Sequence, residues 1–387
     1  MTLNFHWRLP TDGDSRLKNL DLWNLHTGAE TTPGYFPGAT SHRQQDRSRF
    51  TYFDHLARVA QAAEATGFDG VLVPATPTGE EPFVVAGALI RETRYLRFLP
   101  SFHTATTKPV HAARTTATAQ RHSGNRLDWN IVAGENDKVQ RRWGDFAPVE
   151  DRYRRTGDFL DIARGVLTHK DFSHEGAFYQ VDHGGLQHPV SAVTPPTVYL
   201  SGTSDVALDI AARHADVYTT WAEPLSDLAA KLARLNEAAT GHGRRLRHAV
   251  RVDVIARASH EEAWEDARHL WETADRTAVR QRQELTGDDI DAAAAERAWA
   301  ARYANASHFE DSKISPSLWV GEGVVRPGPA VTIVGDYAQV AETLNAYAAI
   351  GVDTFILASP PHLEEAYRVG EELLPLFRPT PASLAAE

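Results

Sequence analysis

Eight short apolar runs alternate with stretches of helical spacing, and this alternation sets the tightest limit on how the 387-residue chain folds. The runs are Leu3–Leu9, Gly70–Pro74, Leu96–Phe102, Arg126–Val132, Thr197–Leu200, Val217–Trp221, Ala249–Ala256 and Asp353–Ala358. Helical spacing fills Phe53–Thr66, Pro82–Glu92, Pro109–Arg121, Asp151–Leu167, Asp205–His214, Leu225–Thr240, Tyr337–Ile350 and Pro361–Leu374, with one or two charged helices between Ala263 and Ala304. Short buried strands separated by helices, without a hairpin signal, predict a parallel sheet. Eight such units without a linker favour one domain over residues 1–387, an α/β fold of the (β/α)8 barrel type with insertions. An open doubly wound sheet is the alternative, but no Gly-x-Gly-x-x-Gly follows the first strand.

Composition removes several chemistries. The absence of cysteine excludes disulfides, thiolate metal sites and cysteine catalysis, and is compatible with the cytoplasm. A formal charge of −11 argues against nonspecific nucleic-acid binding. No apolar run reaches membrane-spanning length, and no signal-peptide pattern opens the chain. The eighteen histidines are scattered, without the spacing of a zinc or iron site, so no metal is expected. Serine catalysis lacks a Gly-x-Ser-x-Gly elbow.

In barrels of this type the reactive groups lie at the C-terminal ends of the strands. That rule selects Asp12 after the first run, Thr76 after the second, His103 after the third and Asn130 on the fourth. It also selects Ser201–Ser204 after the fifth, Trp221 and Glu223 after the sixth, Arg251 and Asp253 on the seventh, and Ser359–His362 after the eighth. Arg251 and Asp253 are two apart and share a strand face, as a structural ion pair or as working groups. Gly202, Thr203 and Ser204 turn a strand into a helix. Free N–H groups and hydroxyls there make either an ordinary cap or an anion seat.

Several blocks taken together resemble the bacterial luciferase-like flavin monooxygenases, and within them the alkanesulfonate monooxygenase group. They are Trp7–Asp14, Asn130–Gly134, Asp151–Arg154, Ser201–Ala207, Thr220–Pro224, Ser315–Trp319 and His362–Glu371. The resemblance implies a barrel that binds reduced FMN delivered by a separate NAD(P)H-dependent flavin reductase. It further implies use of O2 to oxygenate a small organosulfur substrate, with a sulfonate yielding aldehyde and sulfite. Dimers or tetramers are usual in the family. Carried over by residue, Tyr153 and Ser204 become FMN-phosphate contacts, with Gly202 and Thr203 adding backbone donors. Asn130 becomes a contact to the flavin ring, with Ala133 and Gly134 leaving it room. Arg251, Arg326 and His362 become catalytic-pocket residues and Trp221 a pocket wall. The segment from about 273 to 326 corresponds to a mobile lid.

The chain departs from that pattern at several positions. Asp12 and Asp253 stand where the alkanesulfonate group has histidines, Pro360 where it has tyrosine and Gly79 where it has cysteine. An N-terminal insertion loop, 15–49, is longer than the group's. Two carboxylates beside retained arginines suit a polar sulfonate, such as a sulfosugar like sulfoquinovose, or taurine. Other readings are a same-fold monooxygenase with a non-sulfonate substrate from a biosynthetic pathway, a deazaflavin-dependent dehydrogenase, or a non-catalytic flavin-binding barrel.

Overall fold

Each of the eight apolar runs forms a strand, and backbone pairing closes the strands into a ring. The computed structural model describes residues 2–11, 52–76, 79–133, 137–191, 193–273, 306–320 and 331–378. The ring strands are β1 (Asn4–Arg8), β2 (Gly70–Val73), β3 (Arg97–His103), β4 (Trp129–Val132), β7 (Val198–Leu200), β8 (Val217–Trp221), β9 (Arg247–Arg257) and β12 (Thr354–Ala358). They pair in parallel, in the order β1-β2-β3-β4-β7-β8-β9-β12, and β12 returns to β1. This is the closed barrel that the alternation predicts.

Helices α1 (Tyr52–Ala65), α2 (Pro82–Glu92), α3 (Pro109–Ser123), α4 (Asp137–Arg142), α5 (Val149–Thr168), α6 (Asp205–His214), α7 (Leu225–Gly241), α8 (His260–Thr273), α9 (Tyr337–Ala349) and α10 (His362–Arg368) accompany the strands. Local chemistry sets their ends. Pro82 and Pro109 occupy first-turn positions, where the missing N–H is harmless. At the end of α3, Gly124 adopts φ 71° and bonds back to the Gln120 carbonyl. Asp336 and Gln339 form a reciprocal capping box at the start of α9.

Side-chain alternation along the strands divides the core in two. Phe5, Trp7, Phe98, Trp129, Leu200, Val252 and Phe355 belong to the large cluster between strands and helices. Leu72, Leu99, Tyr199, Val217, Ala249 and Ile356 form a separate apolar cluster on the barrel's inner side. His6 joins this inner layer, with its ring 6.1 Å from that of Tyr199. Near the N-terminal strand ends, Arg97 pairs with Asp128 at 2.7 Å, and Arg247 with Asp353 at 3.0 Å.

Strand pairing outside the ring differs from the sequence expectation. β5 (His174–Glu175) and β6 (Gln180–Val181) form an antiparallel hairpin, and β10 (Leu318–Trp319) runs antiparallel to β11 (Thr332–Asp336). Three of these strands have two residues each, too few to display an alternating pattern. β11 extends the sheet alongside the second half of β9, in parallel. The six-residue α4 is likewise too short for a helical period to emerge. Of the charged stretch Ala263–Ala304, the first part belongs to α8. The insertion 15–49 and the parts of the expected lid at 274–305 and 321–326 lie outside the described residues. Among the described residues, no helix is long and apolar enough to cross a membrane.

Candidate active site

Exposure on the inner face locates the open space at the C-terminal end of the barrel. Arg8 on β1, Ser101 and His103 on β3, Asp253 on β9 and Ala358 on β12 are buried. Asn130 and Val132 on β4, Thr219 and Trp221 on β8, and Arg251 on β9 are half-buried, and Ser201 just past β7 is exposed. The space therefore runs along the arc β4-β7-β8-β9, while the opposite wall is sealed.

One end of this arc is the turn from β7 into α6. Ser204 caps α6, its Oγ accepting the Ala207 N–H at 3.2 Å. The hydroxyl proton of Ser204 is left to donate outward. Gly202 adopts φ 131°, and its carbonyl accepts the Tyr218 hydroxyl at 2.8 Å. A Cβ on Gly202 would sit 2.3 Å from the Tyr153 hydroxyl and 2.6 Å from Ala207 Cβ. Tyr153, on α5, is only 1% exposed, so its phenol is fixed against the turn. A glycine in a positive-φ turn, a buried phenol, a cap hydroxyl and the start of a ten-residue helix converge at one strand end. That donor set fits a phosphate.

Asn130 lies on the neighbouring β4, and its amide donates to Ser101 Oγ at 2.7 Å. This bond fixes which side of the amide faces the mouth. Ala133, the next small residue, is buried at the end of β4.

The other end of the arc carries charge. Trp221 and Arg251 are register partners between β8 and β9. The Arg251 guanidinium carbon lies over the indole ring, 4.1 Å from its centroid. A cation over a tryptophan face is held by the ring quadrupole, which orients the guanidinium without neutralising it. Asp253, two residues further on β9, is 1% exposed and paired in register with Thr332 and Ala358. Glu223 is tied to α7 through Lys231, at 2.5 Å.

On the sealed wall, His103 contacts Gln140 at 3.3 Å, and its ring lies 5.3 Å from that of Trp143. His362 opens α10 and is 5% exposed; its carbonyl accepts the Trp7 indole N–H at 3.1 Å. Thr76 accepts the Gly79 N–H through its carbonyl at 3.2 Å. A Cβ at Gly79 would meet the Thr76 hydroxyl at 2.4 Å, so glycine keeps that loop close. Thus Asn130, Ala133, Thr203, Ser204, Gly202, Trp221, Arg251, Asp253, His103, Thr76 and His362 all gather at one barrel end. Asp12, Gly134 and Arg326 lie outside the described residues.

Sequence reasoning passed over Ser101, Gln140, Trp143 and Thr219. Ser101 and Thr219 were within reach of it: each sits two residues before a selected residue on the same strand and so faces the same way. Gln140 and Trp143 come from α4 and its following turn, where no periodicity signals a contact to β3.

Two buried histidines make the fold sensitive to acid. Burial pushes His6 down to about 4 and His103 down to about 4, against opposing pulls from Asp128 and Asp145 respectively. Both are neutral at pH 7. Between pH 6.5 and 4 the unfolded chain binds more protons than the folded one, so stability falls as pH drops through that window. Each shift corresponds to roughly 3 kcal/mol, fully lost below both values. Urea unfolding at pH 7, 5.5 and 4.5 should show this loss, to which His214 and His248, also lowered by burial, add, and His6→Gln should remove the part that His6 contributes. A pH dependence identical in wild type and His6→Gln would overturn the assignment to His6.

The model of the family described as luciferase-like monooxygenase matches residues 34–354. Among solved structures, EDTA monooxygenase from Chelativorans sp. BNC1 aligns with a TM-score of 0.72 at 16% identity, covering 97% of this chain and 93% of that one. A long-chain alkane monooxygenase aligns with a TM-score of 0.70 at 16% identity, covering 97% and 91%. A riboflavin lyase, solved with modified FMN and the substrate riboflavin, aligns with a TM-score of 0.69 at 18% identity, covering 98% and 92%. At these identities the structural likeness is one of fold.

Proposed function

Because this chain belongs to the luciferase-like monooxygenase family, and so is a flavin-dependent monooxygenase, we propose that it binds reduced FMN and oxygenates a small polar organosulfonate. A separate NAD(P)H-dependent flavin reductase would supply the reduced flavin. The observation that carries the cofactor reading is the Gly202 turn, packed against the buried Tyr153 hydroxyl at the start of α6. Tyr153, Ser204 and the N–H groups of Gly202 and Thr203 would hold the phosphate. Asn130, oriented by Ser101, would meet the ring in the space left by Ala133 and Gly134. Reduced flavin bound there would supply the two electrons with which O2 gives one oxygen atom to the substrate and the other to water.

The remaining work falls to the chain. Arg251, held over Trp221, presents a guanidinium fork whose geometry suits the oxygens of a sulfonate. Arg326, His362 and Asp253 would complete the pocket, with Asp12, Thr76 and His103 along its walls. His103 is neutral at pH 7 and can accept or donate a hydrogen bond without adding charge. The sealed wall from β12 through β3 limits water at the reacting centre. Asp12 and Asp253 favour a substrate that carries hydroxyl or amine groups beside its sulfonate.

The test combines binding and turnover. Anaerobic titration should show that Ser204→Ala and Tyr153→Phe each weaken reduced-FMN binding by about fivefold to tenfold, the value of one phosphate hydrogen bond. Affinity unchanged in both variants would remove the phosphate assignment. Aerobic mixing with chemically reduced FMN should release sulfite from sulfoquinovose or taurine in preference to octanesulfonate. Flavin binding and oxygen consumption without sulfite from any sulfonate would leave the monooxygenase and discard the sulfonate. Reduction of a deazaflavin without oxygen uptake would move the chain to the dehydrogenases.

A further inference from the structure

The geometry points to Thr219 as a further flavin-positioning residue, one whose hydroxyl bonds the cofactor between its phosphate and its ring. This rests on the reading of the Gly202 turn as the phosphate seat. Thr219 lies on the inner face of β8, two residues before Trp221, and is half-buried. The β7–β8 ladder pairs Leu200 with Tyr218, so the next residues, Ser201 and Thr219, are neighbours at the start of the Gly202 turn. On its other side Thr219 pairs in register with Ala249, which offers no polar side chain. Thr219 thus occupies the stretch of the arc between the anion seat and the Arg251–Trp221 stack.

Its hydroxyl is sealed from solvent and makes no hydrogen bond among the described residues. A buried hydroxyl without a partner is destabilising, and native structures tolerate few of them. Neither strand pairing nor helix capping uses this one. The residue's partial exposure is therefore by its carbon surface, and a rotation about χ1 would turn the oxygen toward a ligand that spans from the turn to the stack. A flavin seated there would offer Thr219 a ribityl hydroxyl or a polar ring atom, and either can accept a hydrogen bond from threonine.

The contact is independent of the phosphate, which makes it separable from the Ser204 contact. Anaerobic titration with reduced FMN and reduced riboflavin is the test, using wild type, Thr219→Val, Thr219→Ser and Ser204→Ala. Thr219→Val keeps the branched shape and should weaken both flavins by about fivefold to tenfold. Thr219→Ser keeps the hydroxyl and should stay within about twofold of wild type. Ser204→Ala should weaken FMN alone. Thr219→Val that binds both flavins like wild type, or Thr219→Ser as impaired as Thr219→Val, overturns the role of the hydroxyl. A wild-type chain that binds neither flavin overturns this inference together with the cofactor reading. Normal wild-type binding with an unaffected Thr219→Val overturns this inference alone.

Discussion

Gly202→Ala is expected to lower reduced-FMN affinity by about a hundredfold. Two independent penalties act at that position. The backbone φ of 131° lies where residues with a Cβ are strained, at about 1–3 kcal/mol. The added carbon would also lie 2.3 Å from the Tyr153 hydroxyl and 2.6 Å from Ala207 Cβ. Tyr153 is buried and cannot swing away, so the turn or the phenol must move, and either motion spoils the donor set. A loss of about 2–3 kcal/mol in binding corresponds to a factor near one hundred. Anaerobic flavin titration measures it directly. A Gly202→Ala protein that binds within threefold of wild type would show that the phosphate sits elsewhere.

The second large effect concerns stability. Arg257, at the end of β9, is held by Glu365 on α10 through two bonds of 3.0 and 3.1 Å, and by Asp266 on α8 at 2.7 Å. The Arg257 and Glu365 side chains are 3% and 2% exposed. Removing one partner of a buried pair leaves an uncompensated charge, at about 3–5 kcal/mol. Asp266 continues to hold one edge of the guanidinium, so Glu365→Ala should lower the unfolding free energy in urea by about 3 kcal/mol, the lower end of that range. Arg257→Met with Glu365→Leu should recover much of the loss, because an apolar pair of similar volume avoids the desolvation term. A Glu365→Ala loss below about 1 kcal/mol would mean that Asp266 alone satisfies the arginine.

The barrel was legible in the sequence because the ring strands fall in short apolar runs and the helices between them, the six-residue α4 apart, are long enough to show their period. Asp205–His214 and Val217–Trp221 have the bounds that their spacing predicts. The hairpin at 174–181 and β10 escaped because two-residue strands carry no period. The site was legible at the level of strand ends. Arg251, Trp221 and Asn130 could be assigned to the mouth from position alone, since barrel topology decides which end is open. What position does not reveal is contact between strands. Ser101 orienting Asn130 is a relation between β3 and β4, and Trp143 against His103 joins a loop to a strand. Such pairings depend on three-dimensional register, which periodicity leaves undetermined. The sequence leaves Thr203 and Ser204 between an ordinary cap and an anion seat, and the packing of the buried Tyr153 against Gly202 is a contact that their spacing does not reveal.

The uneven lining of the barrel mouth bears on how such an enzyme can be re-engineered. Arg8, Ser101, His103 and Ala358, on β1, β3 and β12, are buried, so changes of size there cost stability. Val132 on β4 is half-buried at the open side, and a change of side-chain size there alters the shape of the chamber while leaving the Arg251–Trp221 stack and the Gly202 turn in place. A small library at that position would sample new substrate preferences at little expense in foldable variants.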